Sequence, residues 1–174
     1  CFKNAQVDWA VYEVGLGGRL DATNILRPKL CCITPIELEH SEFLGDTIEK
    51  VAAEKAGIIK KCTPVIVAKQ QSESVKNVFK EKAKENYAPC YFIDELVNKI
   101  DYSFDSNSKS MSILLESPIF DRQIKTNLSL LGSKHAENAA MAAVAIKKLF
   151  PNMDESVIEK GLAKAKLPGR FEIC

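Results

Sequence analysis

Short apolar runs alternate with amphipathic stretches along the first half of the chain. Residues 7–12, 30–35 and 63–68 form apolar runs that are too short for helices, and residues 91–93 form another. Such runs are typical of strands that are buried on both faces. We therefore predict four strands, the first of which leads through Glu13 into a glycine-rich loop.

Helical spacing of apolar residues separates these strands. Ile48, Val51, Ala52 and Ala56 follow the i, i+3, i+4 pattern of an amphipathic helix facing a core. The order strand–loop–strand–helix–strand–helix–strand favours a parallel sheet with helical crossovers. We predict four helices. The first begins with a capping box at Asp46 and Glu49, and the second covers residues 72–86. The third covers residues 134–149 with Ser133 as its cap, and the fourth runs from the cap Asp154 to about residue 166.

Residues 102–131 show a different pattern. Apolar and polar residues alternate over 103–105, 110–116 and 123–130 around turn-forming residues, as they do in antiparallel strands. The sequence therefore predicts an α/β fold in which a mostly parallel sheet is flanked by helices and accompanied by an antiparallel section. We expect one domain over residues 1–167, followed by a linker that begins at 168–174.

Composition narrows the class of protein. The chain has 174 residues, of which 46% are hydrophobic and 27% charged, and its formal net charge is +1. These values are ordinary for a globular protein and predict neither nucleic-acid nor membrane binding. The six cysteines lack metal-binding spacing, so we expect reduced, mostly buried thiols in a cytosolic protein, with Cys31 and Cys32 on opposite faces of a strand. Both ends are abrupt, and we expect a fragment of a longer protein.

Glu13 stands where a ligand site is expected. It ends the first predicted strand, and Gly15, Gly17 and Gly18 follow it closely. Glycines allow backbone and ligand to approach each other, and open α/β sheets bind ligands beyond the carboxyl ends of their strands. Glu13 therefore belongs either to a tight turn or to a metal–phosphate site.

Two more residues are expected at the same edge of the sheet. His40 follows the second predicted strand and is either a surface residue or a ligand. Lys55 falls on the apolar face of its helix, where a charge is unfavourable, so either its stem reaches solvent or its charge is altered or paired. The convergence of Glu13, His40 and Lys55 favours one shared site.

The last part of the chain holds three further candidates. His135 and Asn138 lie on one face in the first turn of a predicted helix. They form either a capped turn or a pair of neutral groups that face a base. Arg170 follows Pro168 and Gly169, and this rigid turn either leaves it on the surface or directs it at a phosphate.

Four segments resemble successive motifs of one known family. In order and across nearly the whole chain, they resemble the folylpolyglutamate synthase/dihydrofolate synthase family of the Mur ligase superfamily. The resemblance implies the central ATPase domain, of the P-loop type, without the phosphate-binding loop expected upstream and without the separate C-terminal domain. The segments are EVGLGGRLDATN at 13–24, ITPIELEHSEFLGDTIEKVAAEKAGIIK at 33–60, LLGSKHAENAAMA at 130–142 and LPGRFE at 167–172.

This resemblance implies an ADP-forming, cytoplasmic and monomeric ligase. The γ-phosphoryl group of ATP passes to a folate or dihydropteroate carboxylate, and the amine of L-glutamate attacks the acyl phosphate. By position, Glu13 and His40 would bind two Mg²⁺ ions, and Lys55 would be a carbamylated lysine that binds magnesium through its new carboxylate. Lys55 and His40 would be the catalytic residues. His135 and Asn138 would lie near the adenine, and Arg170 near the phosphates.

The chain departs from the family pattern in one motif. The usual Gly-Leu-Asp-His reads Glu37-Leu38-Glu39-His40, which adds bulk and charge beside the metal. Two other functions stay open. The first is another Mur-type ligase that acts on muramyl peptides, and the second is a non-catalytic nucleotide-binding module.

We predict that the 174-residue chain alone catalyses no ligation, because the phosphate-binding loop and the C-terminal domain that the family uses are expected outside it. The measurement is ADP release from ATP in the presence of L-glutamate and either dihydropteroate or folate. ATP-dependent glutamate ligation above the protein-free background would contradict this expectation.

Overall fold

A three-stranded parallel sheet is the centre of the first half of the molecule. The structure, a computed structural model, describes residue 4 and residues 6–38, 44–70, 72–107 and 109–167. Strands β1 (Cys31–Ile33), β2 (Val65–Val67) and β3 (Cys90–Phe92) lie side by side in that order, with Cys31 level with Val65 and Val65 level with Cys90. The strands predicted at 30–35, 63–68 and 91–93 are thus confirmed, and all three end at one edge.

Two helices form the crossovers between these strands. Helix α1 (Ile48–Ala56) and helix α2 (Glu73–Glu85) bury apolar residues in the same cluster as the strands, including Val51 and Phe79, which are fully buried. Burial of one such side chain stabilises the fold by about 1.5–3 kcal/mol. The helical spacing that predicted both elements therefore reflects real packing against the sheet.

The start of α1 differs from the prediction by one residue. Thr47 is the N-cap, with φ −128° and ψ 152°, and its side chain accepts a hydrogen bond from the backbone N–H of Lys50. Asp46 instead accepts from the Lys50 ammonium at 2.7 Å. Asp46 is not the cap because Thr47 has the extended backbone directly before the first helical residue.

An antiparallel sheet follows β3 and confirms the pattern of the second half. A short helix, α3 (Ile93–Leu96), leads into strand β4 (Lys99–Asp105), which pairs with β5 (Ser110–Glu116), and β5 pairs with β6 (Ile124–Leu128). The section begins slightly earlier than predicted, at Lys99. Alternate side chains of β5 are buried, namely those of Met111, Ile113 and Leu115.

Two further helices complete the described fold. Helix α4 (Ser133–Leu149) buries a row of alanines against both sheets, and helix α5 (Glu155–Ala163) packs beside β6. Asp154 caps α5 as predicted, because its side chain accepts from the Ser156 N–H. Ser133 does not cap α4, since Gly132 at φ 111° takes the non-helical position before it.

The first predicted strand is wrong. Residues 7–12 are assigned to no strand, and Val11 is 95% exposed although it was expected in the core. An extended segment becomes a strand only when a neighbouring strand completes its hydrogen bonds. Among the described residues, β1 is bonded only to β2. Trp9 packs instead on Phe150, with ring centroids 5.0 Å apart.

The cysteines follow the prediction in part. Cys31 is buried and its neighbour Cys32 is exposed, as expected for opposite faces of β1. The expectation of mostly buried thiols is wrong for the described cysteines, because Cys62 is also exposed and Cys90 is half-buried. The exposed thiol of Cys62 follows from its position in a turn with φ 57°. Among the described residues, no helix is long and apolar enough to cross a membrane.

A buried ion pair joins the two last helices. Lys147 on α4 and Glu155 on α5 are each about 3% exposed in their side chains, and the ammonium lies 2.8 Å from the carboxylate. Lys147 also donates to Asp121 Oδ2 at 2.9 Å and to the Met153 carbonyl at 3.1 Å. These contacts occupy all three ammonium hydrogens, which is the condition under which a buried charge is tolerated.

We predict that Lys147→Met lowers the free energy of unfolding by about 3–5 kcal/mol, because it leaves Glu155 buried without a counter-charge. Lys160→Met, at an exposed position on α5, is the control and should change it by less than about 0.5 kcal/mol. Urea unfolding measures both. Equal stability of the two variants would show that the pair contributes little.

The pair of Lys147 and Glu155 also makes the stability of the fold depend on pH. Burial raises the pKa of Glu155, but the hydrogen bonds from Lys147 and from the Asp121 N–H outweigh it and hold that pKa below the ordinary 4.5. The contribution of the pair is therefore complete above pH 4.5 and is lost as the pH falls through the lowered value.

Candidate functional site

The glycine-rich loop lies against the end of α1. A Cβ on Gly18 would lie 2.9 Å from the Glu54 carbonyl oxygen and 3.0 Å from that of Lys55, so only glycine fits there. The next residue, Arg19, donates its N–H to the Glu54 carbonyl at 2.9 Å, and its guanidinium contacts the Glu54 carboxylate at 3.0 Å. The loop that follows Glu13 is thus fixed to the helix that carries Lys55.

Asp21 determines the shape of this loop. One carboxylate oxygen accepts the N–H groups of Gly15 and Leu16 at 3.0 and 3.2 Å, and the other accepts the N–H and the hydroxyl of Thr23. Hydrogen bonds from Thr23, first from its side chain and then from its backbone, followed by those from Leu16 and Gly15, lower the pKa of Asp21 to about 2. Asp21 is therefore an anion that replaces a missing backbone acceptor for three N–H groups.

Glu13 and Lys55 are both reachable by solvent. Glu13 is exposed and Lys55 is half-buried. Within the described part of the chain, no carboxylate lies within ion-pairing distance of the Lys55 ammonium. The residues of α1 that are buried in the core are Val51, Ala52 and Ala56, and Lys55 is not among them. The unfavourable burial that the sequence suggested is relieved by this partial exposure.

A cavity of about 310 Å³ opens at the carboxyl edge of the parallel sheet. Residues directly after each strand form one wall, since Pro35 follows β1, Ala68 and Lys69 follow β2, and Ile93 follows β3. The opposite side comes from the first turns of α4, from the segment that leads into β4 and from β4 itself, and it includes Ser133, Glu137, Asn138, Asn98, Lys99 and Tyr102. This position agrees with the general rule for ligand sites in open α/β sheets.

The predicted site residues are divided with respect to this cavity. Asn138 lines it, whereas its neighbour His135 is half-buried in the first turn of α4 and is not part of the described lining. Glu13 and Lys55 are not part of that lining either. His40 and Arg170 lie outside the described residues, so their placement stays a prediction.

Glu37, one of two residues expected to depart from the family pattern, has a partner. Its carboxylate lies 2.8 Å from the ammonium of Lys134 in the first turn of α4. Glu37 follows the cavity residue Pro35 by two positions, and Lys134 follows the cavity residue Ser133. The ion pair therefore joins two segments that border the cavity, and the side chains of Glu37 and Lys134 are 42% and 78% exposed.

The residues present are compatible with magnesium held mainly by a ligand. Among the described residues, no three histidine, cysteine or acidic side chains gather into a metal-binding group. Magnesium commonly takes one or two protein carboxylates together with phosphate oxygens. The exposed carboxylate of Glu13 fits that role, whereas an unmodified lysine ammonium offers a cation no lone pair.

The sequence and the fold are those of a defined class of proteins. The family model of the Mur ligase middle domain matches residues 2–146. The chain therefore belongs to the Mur ligase middle domain family. It is also 34% identical over 172 residues to the dihydrofolate synthase/folylpolyglutamate synthase of Bacillus subtilis. The matched region covers 97% of this chain and 39% of that protein.

Solved structures agree with this assignment. A folylpolyglutamate synthase in complex with AMPPCP and folate is 30% identical, has a TM-score of 0.85, and is matched over 98% of this chain and 42% of that one. The Mycobacterium tuberculosis folylpolyglutamate synthase with ADP is 30% identical at a TM-score of 0.82, over 98% of this chain and 38% of that one. The α/β architecture predicted from the sequence is thus confirmed, and the chain spans about two fifths of the length of these relatives.

Sequence reasoning missed several residues of the site. Asp21 was part of a recognised motif, but nothing local showed that its carboxylate holds the N–H groups of Gly15 and Leu16. Lys69 and Gln70 also went unnoticed, although they follow β2 directly. The rule that pointed to Glu13 and His40, a polar residue at the end of a strand, would have found them.

We predict that Asp21→Ala frees the glycine loop. The amide hydrogens of Gly15 and Leu16 should exchange with solvent about tenfold faster, because each loses its acceptor. Amide hydrogen exchange followed by NMR or mass spectrometry measures the effect. Asp8→Ala, at an exposed position, is the matched control and should leave these rates unchanged. Unaltered exchange in Asp21→Ala would mean that another group holds the loop.

Proposed function

We propose that this chain is the central nucleotide-binding part of an ATP-dependent amide ligase, which adds L-glutamate to a folate or dihydropteroate carboxylate. The observation that carries the proposal is the cavity at the carboxyl edge of the sheet, lined by Asn138 and Lys69, in a member of the Mur ligase middle domain family. The substrate class is supported by relatives named folylpolyglutamate synthase, one of them solved with AMPPCP and folate.

The chemistry of the cavity suits the nucleoside part of ATP. Ala68 and Ile93 give it an apolar surface, against which the face of a base can lie. Asn138 adds an amide, which both donates and accepts hydrogen bonds and can therefore read the edge of a base. Lys69 and Lys99 are balanced in the lining by Asp94 and Glu137, and Lys99 is ion-paired with Asp101 at 2.7 Å. The cavity therefore suits the uncharged nucleoside more than the phosphates.

The proposed reaction has two steps. A carboxylate oxygen of the folate or dihydropteroate attacks the γ-phosphorus of ATP, the bond to the bridging oxygen breaks, and ADP leaves. The neutral amine of L-glutamate then attacks the carbon of the acyl phosphate, a C–N bond forms, and inorganic phosphate leaves as the nitrogen loses its proton. Both steps bring anions together, so positive charge near the phosphates accelerates them.

Glu13, His40 and Lys55 would hold the two magnesium ions of this site. Magnesium supplies the charge that draws the phosphates together and stabilises the transferred group. Glu13 would contribute its exposed carboxylate at the start of the loop that contacts α1. His40, which follows β1 in the sequence, would contribute a nitrogen of its neutral imidazole.

Lys55 would serve after reaction of its neutral amine with CO₂, which forms a C–N bond, releases a proton and yields a carbamate. That change replaces a cation by a carboxylate with hard oxygens. The half-buried position of Lys55, on the helix to which the loop after Glu13 is bonded, supports the proposal. His135 and Asn138 would lie beside the adenine and Arg170 beside the phosphates. A monomeric, cytoplasmic enzyme without a nucleic-acid partner stays a prediction from the sequence.

The test uses the full-length protein that contains this chain. ATP and L-glutamate are supplied with dihydropteroate, a reduced folate or a UDP-muramyl peptide precursor, and ADP release is compared with glutamate incorporation. We expect equal amounts of both products with a dihydropteroate or folate acceptor only. Ligation to the UDP-muramyl acceptor would identify another Mur-type ligase, and nucleotide binding without any ligation would identify a non-catalytic module.

In the same assay, we predict that Glu13→Gln lowers the ligation rate on the order of 100-fold, because a neutral amide is a weak magnesium ligand. Higher magnesium concentrations should recover part of the loss. The matched control is Glu81→Gln, at an exposed position on α2 away from the sheet edge, and it should keep the full rate. A Glu13→Gln enzyme as active as this control would exclude Glu13 from the metal site.

A further inference from the structure

Gln70 is a buried polar residue at the edge of the sheet where the cavity opens. It lies three positions after the end of β2 and is 7% exposed. Its side-chain oxygen accepts the backbone N–H of Ile36 at 3.1 Å, and its side-chain nitrogen donates to the carbonyl of Ala68 at 2.7 Å. The orientation of the amide is thereby fixed, since one neighbour is a donor and the other an acceptor.

These two bonds replace a backbone connection that ends here. The last backbone bond between the ends of β1 and β2 runs from the Ala68 N–H to the Ile33 carbonyl at 2.8 Å. Two residues after Ile33 comes Pro35, which has no N–H to donate. The two chains therefore separate, and the amide of Gln70 spans the gap between Ile36 and Ala68.

The segments that Gln70 connects are the wall of the cavity. Pro35 precedes Ile36, and Ala68 and Lys69 precede Gln70; Pro35, Ala68 and Lys69 all line the cavity. Ile36 itself is 1% exposed, so the backbone that Gln70 holds cannot exchange this bond for one to bulk water. Gln70 bridges the two loops but is not itself part of the described lining.

We propose that Gln70 is a positioning residue for the nucleotide: it holds the loops after β1 and β2 at the separation that the ligand requires. The inference rests on the proposed function in that a nucleotide is taken as the ligand of the cavity. Gln70 acts through Pro35 and Lys69, and through the loop after β1 that carries Glu37 to its contact with Lys134.

The test measures ADP binding to the full-length protein by calorimetry, with and without magnesium. Gln70→Met keeps the length of the side chain but leaves the Ile36 N–H and the Ala68 carbonyl without partners, and we expect about tenfold weaker binding. Phe79→Leu on α2 is the control for lost stability, because Phe79 is fully buried yet not part of the cavity lining. Gln123→Met, at an exposed glutamine directly before β6, is the control for the substitution itself.

A second variant tests the direction of the two hydrogen bonds. Gln70→Glu keeps an acceptor for the Ile36 N–H but turns an oxygen toward the Ala68 carbonyl, so binding should be weak at about pH 8. Burial and that carbonyl raise the pKa of the new carboxyl group. At about pH 5.5 the protonated carboxyl donates to the Ala68 carbonyl, and its affinity relative to the original protein should recover.

The outcomes separate this inference from the proposed function. Binding that falls in Gln70→Met, stays within about twofold in both controls, and recovers at low pH in Gln70→Glu supports the inference. The inference would be overturned if Gln70→Met and Phe79→Leu had the same melting temperature and lost the same ADP affinity. Unchanged ADP binding in Gln70→Met would also overturn it. If the original protein binds ADP but ligates nothing, the proposed function fails while these comparisons still decide the role of Gln70. If it does not bind ADP, both fail.

Discussion

The parallel pairing of β1, β2 and β3 is the constraint on which the rest of the site depends. Because the three strands run in the same direction and in register, the loops after Ile33, Val67 and Phe92 emerge at one edge. Hydrogen bonding between β1 and β2 ends where the Ala68 N–H meets the Ile33 carbonyl. Beyond that point the chains must separate, and their separation leaves room for a ligand between the sheet and α4.

Buried or irregular parts of the backbone are satisfied by side chains, and the type of side chain follows from its exposure. Gln70 serves the Ile36 N–H and the Ala68 carbonyl with one neutral amide, which is the less costly choice in a buried position. In the glycine loop, the charged carboxylate of Asp21 accepts the N–H groups of Gly15 and Leu16. The charge is tolerated there because the loop is open to solvent. Among the described residues, the buried charges are Lys147 and Glu155, and they are paired with each other between α4 and α5.

The ion pair of Glu37 and Lys134 joins the loop after β1 to the start of α4. Lys134 lies in the first turn of α4, where the helix dipole disfavours a cation. The carboxylate of Glu37 lies 2.8 Å from the Lys134 ammonium and offsets this unfavourable interaction with the helix dipole. Both groups are exposed, so the pair contributes little to stability. Its structural consequence is that the loop after β1 is bonded at two points, through Ile36 to Gln70 and through Glu37 to Lys134.

The sequence by itself determined the elements whose signals are local. Examples are the helical spacing of Val51, Ala52 and Ala56 and the short apolar runs around β2 and β3. These patterns predict that the residues are buried, and they do so whichever element packs against them. The same signal was wrong for residues 7–12, because an apolar run records a preference for burial and not whether a partner strand is present. Only the tertiary structure decided the site: Gln70 meets Ile36 across 34 residues and Glu37 meets Lys134 across 97. No local pattern encodes such contacts, since they arise when the parallel sheet brings distant loops to one edge.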